Sequence, residues 1–134
     1  MGRSEKLAVF KAFTNHLATL SKCTERKVAA IITDYNLTQV YSIGINGGPK
    51  DLDDCMCVTD GKFGCLHAEI NALIKCKVMA QNKIMIVSLS PCKQCAAAII
   101  NEPGGFNTVY YMEEWKYSEG LKLLKNAGIN TLKI

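Results

Sequence analysis

The chain has 134 residues and a net charge of +4, from 16 basic and 12 acidic side chains, with 49% hydrophobic and 21% charged residues. This composition excludes a mainly disordered or collagen-like chain, and the length suits a single domain, residues 1–134, with no room for a second core. The basic residues are scattered, which suits a small anionic ligand better than nucleic acid, and the longest apolar runs, such as Ala96 to Ile100, are too short for a bilayer.

Leu7, Phe10, Phe13, Leu17 and Leu20 recur at helical spacing and predict an amphipathic helix from Glu5 to Leu20. Arg3, Glu5, Lys6 and Lys11 interrupt any apolar stretch there, so a secretory signal is not expected. The β-branched runs Val28 to Thr33 and Val40 to Ile45, joined by Asp34-Tyr35-Asn36, predict a hairpin. Gly44 to Gly64 reads as a Gly- and Asp-rich loop, and Ala68 to Lys77 as a helix. Next come a strand at Ile84 to Ser88, a small-residue helix at Cys92 to Ile100 opened by Pro91, and a strand at Thr108 to Tyr111. A helix from Glu119 to Asn126, stopped at Gly128, and a strand from Asn130 to Ile134 complete the order. Strands that alternate with helices after a hairpin predict an α/β fold: a five-stranded mixed sheet with helices on both faces, in three α/β/α layers.

Seven cysteines in a chain without an expected export signal argue against a disulfide framework, and for metal ligation, catalysis or burial in a reducing cytoplasm. Two stretches concentrate the chemistry. His67-Ala68-Glu69 opens the second helix, and Pro91-Cys92-Lys93-Gln94-Cys95 opens the third. One imidazole and two thiolates make a three-ligand zinc set, which leaves the fourth position for water as catalytic sites do. A helix N-terminus favours the thiolate over the thiol. Glu69, two residues beyond His67, falls beside such a metal without being a ligand, where it can take a proton from bound water and pass it to a leaving amine. Alone, Cys-x-x-Cys also suits a redox pair or half of a structural zinc site. His16 is a surface or core residue on its helix.

Taken together, His-x-Glu followed by Pro-Cys-x-x-Cys is the known signature of zinc deaminases. The chain resembles the zinc-dependent deoxycytidylate (dCMP) deaminases of bacteriophages and cells, over roughly Leu20 to Ile134. The resemblance rests on Ser21-Lys22-Cys23, Lys27 to Ile32, Gly44-Ile45-Asn46-Gly47-Gly48-Pro49, His67 to Ala72, Ser90 to Ala96, Val109-Tyr110-Tyr111 and the Leu-Leu-Lys-Asn-Ala-Gly stretch that ends at Gly128. It departs from the usual pattern at Ala29, where Gly is common, at Ile45, where an aromatic is common, and at Asn101 to Gly105.

The resemblance implies hydrolysis of dCMP to dUMP and ammonia, supplying thymidylate synthesis. Zinc would sit on His67, Cys92 and Cys95, with Glu69 moving the proton to the ring nitrogen and then to the amine. It implies main-chain groups at Ala68 or Ser90 for the exocyclic amine and Asn46 for the sugar or phosphate. Ser21, Arg26 and Tyr117 lead the candidates for the phosphate, ahead of Lys22 and Lys27. It implies a homo-oligomer, often a hexamer, activated by dCTP and inhibited by dTTP with Mg2+, in the cytoplasm (of the host, if phage-encoded). No membrane or nucleic-acid partner is expected. Gly47, Gly48, Pro49 and Lys50 are the expected place for effector coupling. Some members carry a second, structural zinc; Cys23, Cys55, Cys57 and Cys65 would hold it here, unless they are small buried hydrophobes. Cys76 and Trp115 read as packing.

Overall fold

The computed structural model describes residues 2–50 and 65–134. The elements follow the expected order: α1 (Arg3–Ala18), β1 (Ala29–Thr33), β2 (Val40–Ile45), α2 (Ala68–Lys75), β3 (Lys83–Leu89), α3 (Lys93–Asn101), β4 (Phe106–Glu113), α4 (Glu119–Asn126) and β5 (Asn130–Lys133). They build a five-stranded sheet in the order β2-β1-β3-β4-β5. The hairpin pairs antiparallel, with Ile31 opposite Ile43. β1 also pairs antiparallel with β3, while β3–β4 and β4–β5 are parallel through the crossover helices α3 and α4.

Side-chain alternation along the strands divides the core in two. Ala30, Ile32, Met85, Val87, Val109 and Tyr111 face α2, α3 and α4. Ala29, Ile31, Ile84, Ile86, Tyr110 and Met112 face α1. The sheet is therefore covered on both sides, as expected, and β1 is buried along its whole length.

Two local expectations change. α1 ends at Ala18, short of Leu20; Leu7, Phe10 and Leu17 meet the sheet, but Phe13 is 39% exposed and Leu20, beyond the helix, 64%, so the apolar stripe is narrower than the spacing suggested. β4 extends to Phe106 and Glu113 because its parallel register with β3 runs from Lys83↔Phe106 to Leu89↔Glu113. Lys83 begins β3 fully buried; its Nζ donates to the carbonyls of Ala80 and Pro103 at 2.8 Å each and lies 5.3 Å from the Phe106 ring centroid.

Candidate active site

Both chemistry-bearing stretches open helices on the same face of the sheet. His67 is the N-cap of α2 and Cys92 the N-cap of α3. A serine and an asparagine lock α2 onto β2: Ser42 Oγ donates to Ala72 O, and Asn71 Nδ2 to Ile45 O, both at 2.8 Å. Gly44 allows the close approach, since a Cβ there would overlap Ala68 O and Ala72 N. The residue before His67 is held as well. Gly47 N–H donates to Leu66 O at 3.1 Å, and Leu66 N–H to Gly47 O at 2.8 Å.

These constraints bring His67 Nδ1 to 3.2 Å from Cys95 Sγ and 3.5 Å from Cys92 Sγ. Ligand atoms of the three residues lie within 4.8 Å of one another, the group among the described residues that could hold a metal ion. Tetrahedral zinc with Zn–S about 2.3 Å and Zn–N about 2.0 Å separates its ligand atoms by roughly 3.5 Å, so the donor set and its spacing fit zinc. The imidazole beside both sulfurs favours a metal centre over a redox pair. At α3 the Cys95 N–H points to Cys92 Sγ at 3.5 Å, so the helix start supports a negative sulfur.

The charges agree. A hydrogen bond from the Cys95 thiol, with His67 alongside, outweighs burial and holds Cys92 down at about 3. The same bond and burial push Cys95 up. Contact with Cys92 raises His67. Glu69 is 4% exposed, and burial pushes it up to about 7. A carboxyl group that titrates near neutrality can both take and give a proton.

A cavity of about 550 Å³ opens over this group, within the roughly 300–1,000 Å³ of small-molecule sites. Arg26, Asn46, Ala68, Glu69 and Ser90 are among its lining residues. A smaller space of about 340 Å³ adjoins it, lined by Lys93, Trp115 and Tyr117 together with His67 and Cys92. The cavity thus gathers most of the residues singled out from sequence.

Three of the residues singled out also serve the scaffold. Ser21 is buried, and its hydroxyl is engaged by Asn46, with Oγ 2.7 Å from Asn46 Oδ1 and 2.9 Å from Asn46 O. It ties the approach to β1 to Asn46 at the cavity rim. Asn46 is itself part of the scaffold: its Oδ1 also accepts from Val28 N–H at 2.9 Å, and its Nδ2 donates to Arg26 O at 2.5 Å. At most one amide hydrogen remains for a ligand. Gly47 likewise spends its amide and carbonyl on Leu66. Gly48 and Pro49 are partly buried and Lys50 is exposed. For the second zinc, Cys23 and Cys65 line the cavity, while Cys55 and Cys57 lie outside the described residues. From sequence Trp115 reads as packing, and the locking role of Asn71 was missed; the signal for Asn71 was its place one helical turn after His67.

A metal-binding triad with a buried carboxylate beside it, on a mixed sheet flanked by helices, defines the zinc-dependent deaminase class. Comparison with known proteins narrows this. Residues 4–113 match the cytidine and deoxycytidylate deaminase zinc-binding region, and the chain belongs to that family. It is 32% identical over 126 residues to the deoxycytidylate deaminase of Saccharomyces cerevisiae, covering 84% of this chain and 39% of that protein. It is 31% identical over 132 residues to ComE operon protein 2 of Bacillus subtilis, covering 93% and 69%. The chain therefore spans about two fifths of the yeast relative's length. The crystal structure of dCMP deaminase from cyanophage S-TIM5, in complex with dCMP and dUMP, superposes with a TM-score of 0.86 at 28% identity, over 100% of this chain and 99% of that one. No described helix is long and apolar enough to cross a membrane.

Proposed function

We propose that this chain hydrolyses dCMP to dUMP and ammonia. The observation that carries the reading is the buried Glu69 carboxyl beside the His67–Cys92–Cys95 group, at the floor of a nucleotide-sized cavity. Zinc, when bound by those three residues, supplies a Lewis acid that makes water nucleophilic near neutral pH. Glu69 takes one proton from the attacking water as its oxygen bonds to C4 and delivers it to the cytosine ring nitrogen; it then takes the second proton from the new C4 hydroxyl and delivers it to the amine, so that the C–N bond breaks, C4 becomes a carbonyl and ammonia leaves. Main-chain groups of Ala68 and Ser90, at the cavity wall, orient the exocyclic amine. Asn46, with its amide fixed by the protein, meets the sugar. Arg26 and Tyr117, at the margins, meet the phosphate; Arg is the better bidentate partner. The named deoxycytidylate relatives support the choice of substrate.

The product would feed thymidylate synthesis in a reducing cytoplasm, where thiolate ligands persist. Assembly into a homo-oligomer, a hexamer in the fullest form, with dCTP activating and dTTP inhibiting in the presence of Mg2+, completes the proposal. Coupling would use Gly48, Pro49 and Lys50, with Gly47 tying that segment to His67 through Leu66. An effector acts only by its differential affinity for the two arrangements of that segment. A sigmoidal dCMP curve made hyperbolic by dCTP and depressed by dTTP supports this regulation; a hyperbolic curve indifferent to both removes it.

The test of the activity is dUMP formation by zinc-loaded protein from dCMP, with deoxycytidine, single-stranded DNA and stem-loop RNA in parallel. Preference for dCMP supports the reading. Turnover only on a polynucleotide would replace it with an editing deaminase.

A further inference from the structure

Trp115, the chain's only tryptophan, belongs to neither core cluster. It sits half-buried between β4 and α4, held from behind. Its main-chain N–H donates to Ser90 Oγ at 2.8 Å, and Ser90 N–H donates to Glu113 O at 2.8 Å. Ser90 is buried at 3% and directly precedes Pro91 and Cys92, so one serine fixes both the approach to the metal ligands and the point where Trp115 leaves the sheet. The indole meets Tyr117 edge-on, with centroids 4.7 Å apart and planes at 81°. It lines both the cavity that contains Glu69 and the adjoining space that contains Tyr117.

A large aromatic side chain outside the core, anchored through its main chain and braced at its ring, is an unusual use of a tryptophan unless something packs on it. We propose that Trp115 is a specificity-determining residue: its indole is the wall on which the single flat ring of a pyrimidine nucleoside monophosphate rests. This rests on the deaminase reading above. Stacking recognises ring shape without reading hydrogen-bond edges. The wall therefore favours a ligand that lays a flat ring against it, and Glu69 and the metal ligands select the base by chemistry.

The lone tryptophan is its own probe. In zinc-loaded wild-type protein, titration with dUMP should change the tryptophan emission saturably, and dGMP at the same concentrations should not. Trp115→Ala should lower kcat/KM for dCMP, and calorimetric affinity for dUMP, roughly 10- to 100-fold with zinc content unchanged. Trp115→Phe, which keeps a flat ring, should recover most of the loss. Emission indifferent to dUMP at concentrations that inhibit turnover would overturn the proposal. So would wild-type kinetics in Trp115→Ala, or equal damage in Trp115→Phe. A wild-type protein without dCMP turnover would contradict the deaminase reading alone. The emission titration would still decide the wall, since a response to dUMP keeps it and indifference removes it.

Discussion

Gly120 in α4 lies against the main chain of Cys92: a Cβ on Gly120 would overlap the Pro91 carbonyl oxygen and come within 2.8 Å of the Cys92 carbonyl carbon. The glycine thus sets how closely α4 can pack behind the metal-binding turn. Gly120→Ala should cost about 1–3 kcal/mol of stability by overpacking, and should weaken zinc binding by shifting Cys92. Thermal melting and zinc competition by a chelator check both. Unchanged zinc affinity would show that the turn yields without moving its sulfur.

The metal ligands give a second prediction. Cys92→Ala or Cys95→Ala should abolish zinc binding and activity and lower stability, because the ion ties the starts of α2 and α3 together. Elemental analysis of the wild type decides the role of the remaining thiols. One zinc per chain makes Cys23 and Cys65 packing residues of the cavity wall. Two, with one surviving Cys92→Ala, supports a second site that includes Cys55 and Cys57.

Lys83 gives a third. Lys83→Met removes the donor to Ala80 O and Pro103 O, and loss of these two hydrogen bonds, with Pro103 open to water, should cost about 1–3 kcal/mol in all. The melting temperature should fall by roughly 5–10 °C. The substitution lies at the start of β3, the end of the strand away from Pro91 and Cys92, so kcat measured well below melting should stay near wild type. A large loss of kcat with an unchanged melting temperature would contradict this division.

The order of elements was legible because β-branched runs such as Ala29–Thr33 and helix openers such as Pro91 are local signals. What escaped depends on distant partners. The ends of β4 carry Asn107, Met112 and Glu113, and only pairing with β3 makes them strand. The burial of Lys83 depends on the carbonyls of Ala80 and Pro103, which only the fold brings to it. The spacing of Phe13 and Leu20 suits a helix face wider than the sheet that covers it. In the site, His67, Glu69, Cys92 and Cys95 form a local chemical pattern and were readable together. Ser21 was not, because its hydroxyl answers to Asn46, 25 residues away. Trp115 was not, because being outside the core is a property of the fold.

The proton-moving role of Glu69 is the centre of the account, and Glu69→Gln tests it most directly. The amide keeps the size of the side chain and leaves His67, Cys92 and Cys95 intact, so zinc should remain stoichiometric. Conversion of dCMP to dUMP, measured with ammonia release against the zinc-loaded wild type, should fall by about 10²–10⁴-fold. Wild-type turnover in a Glu69→Gln protein with full zinc would contradict the account.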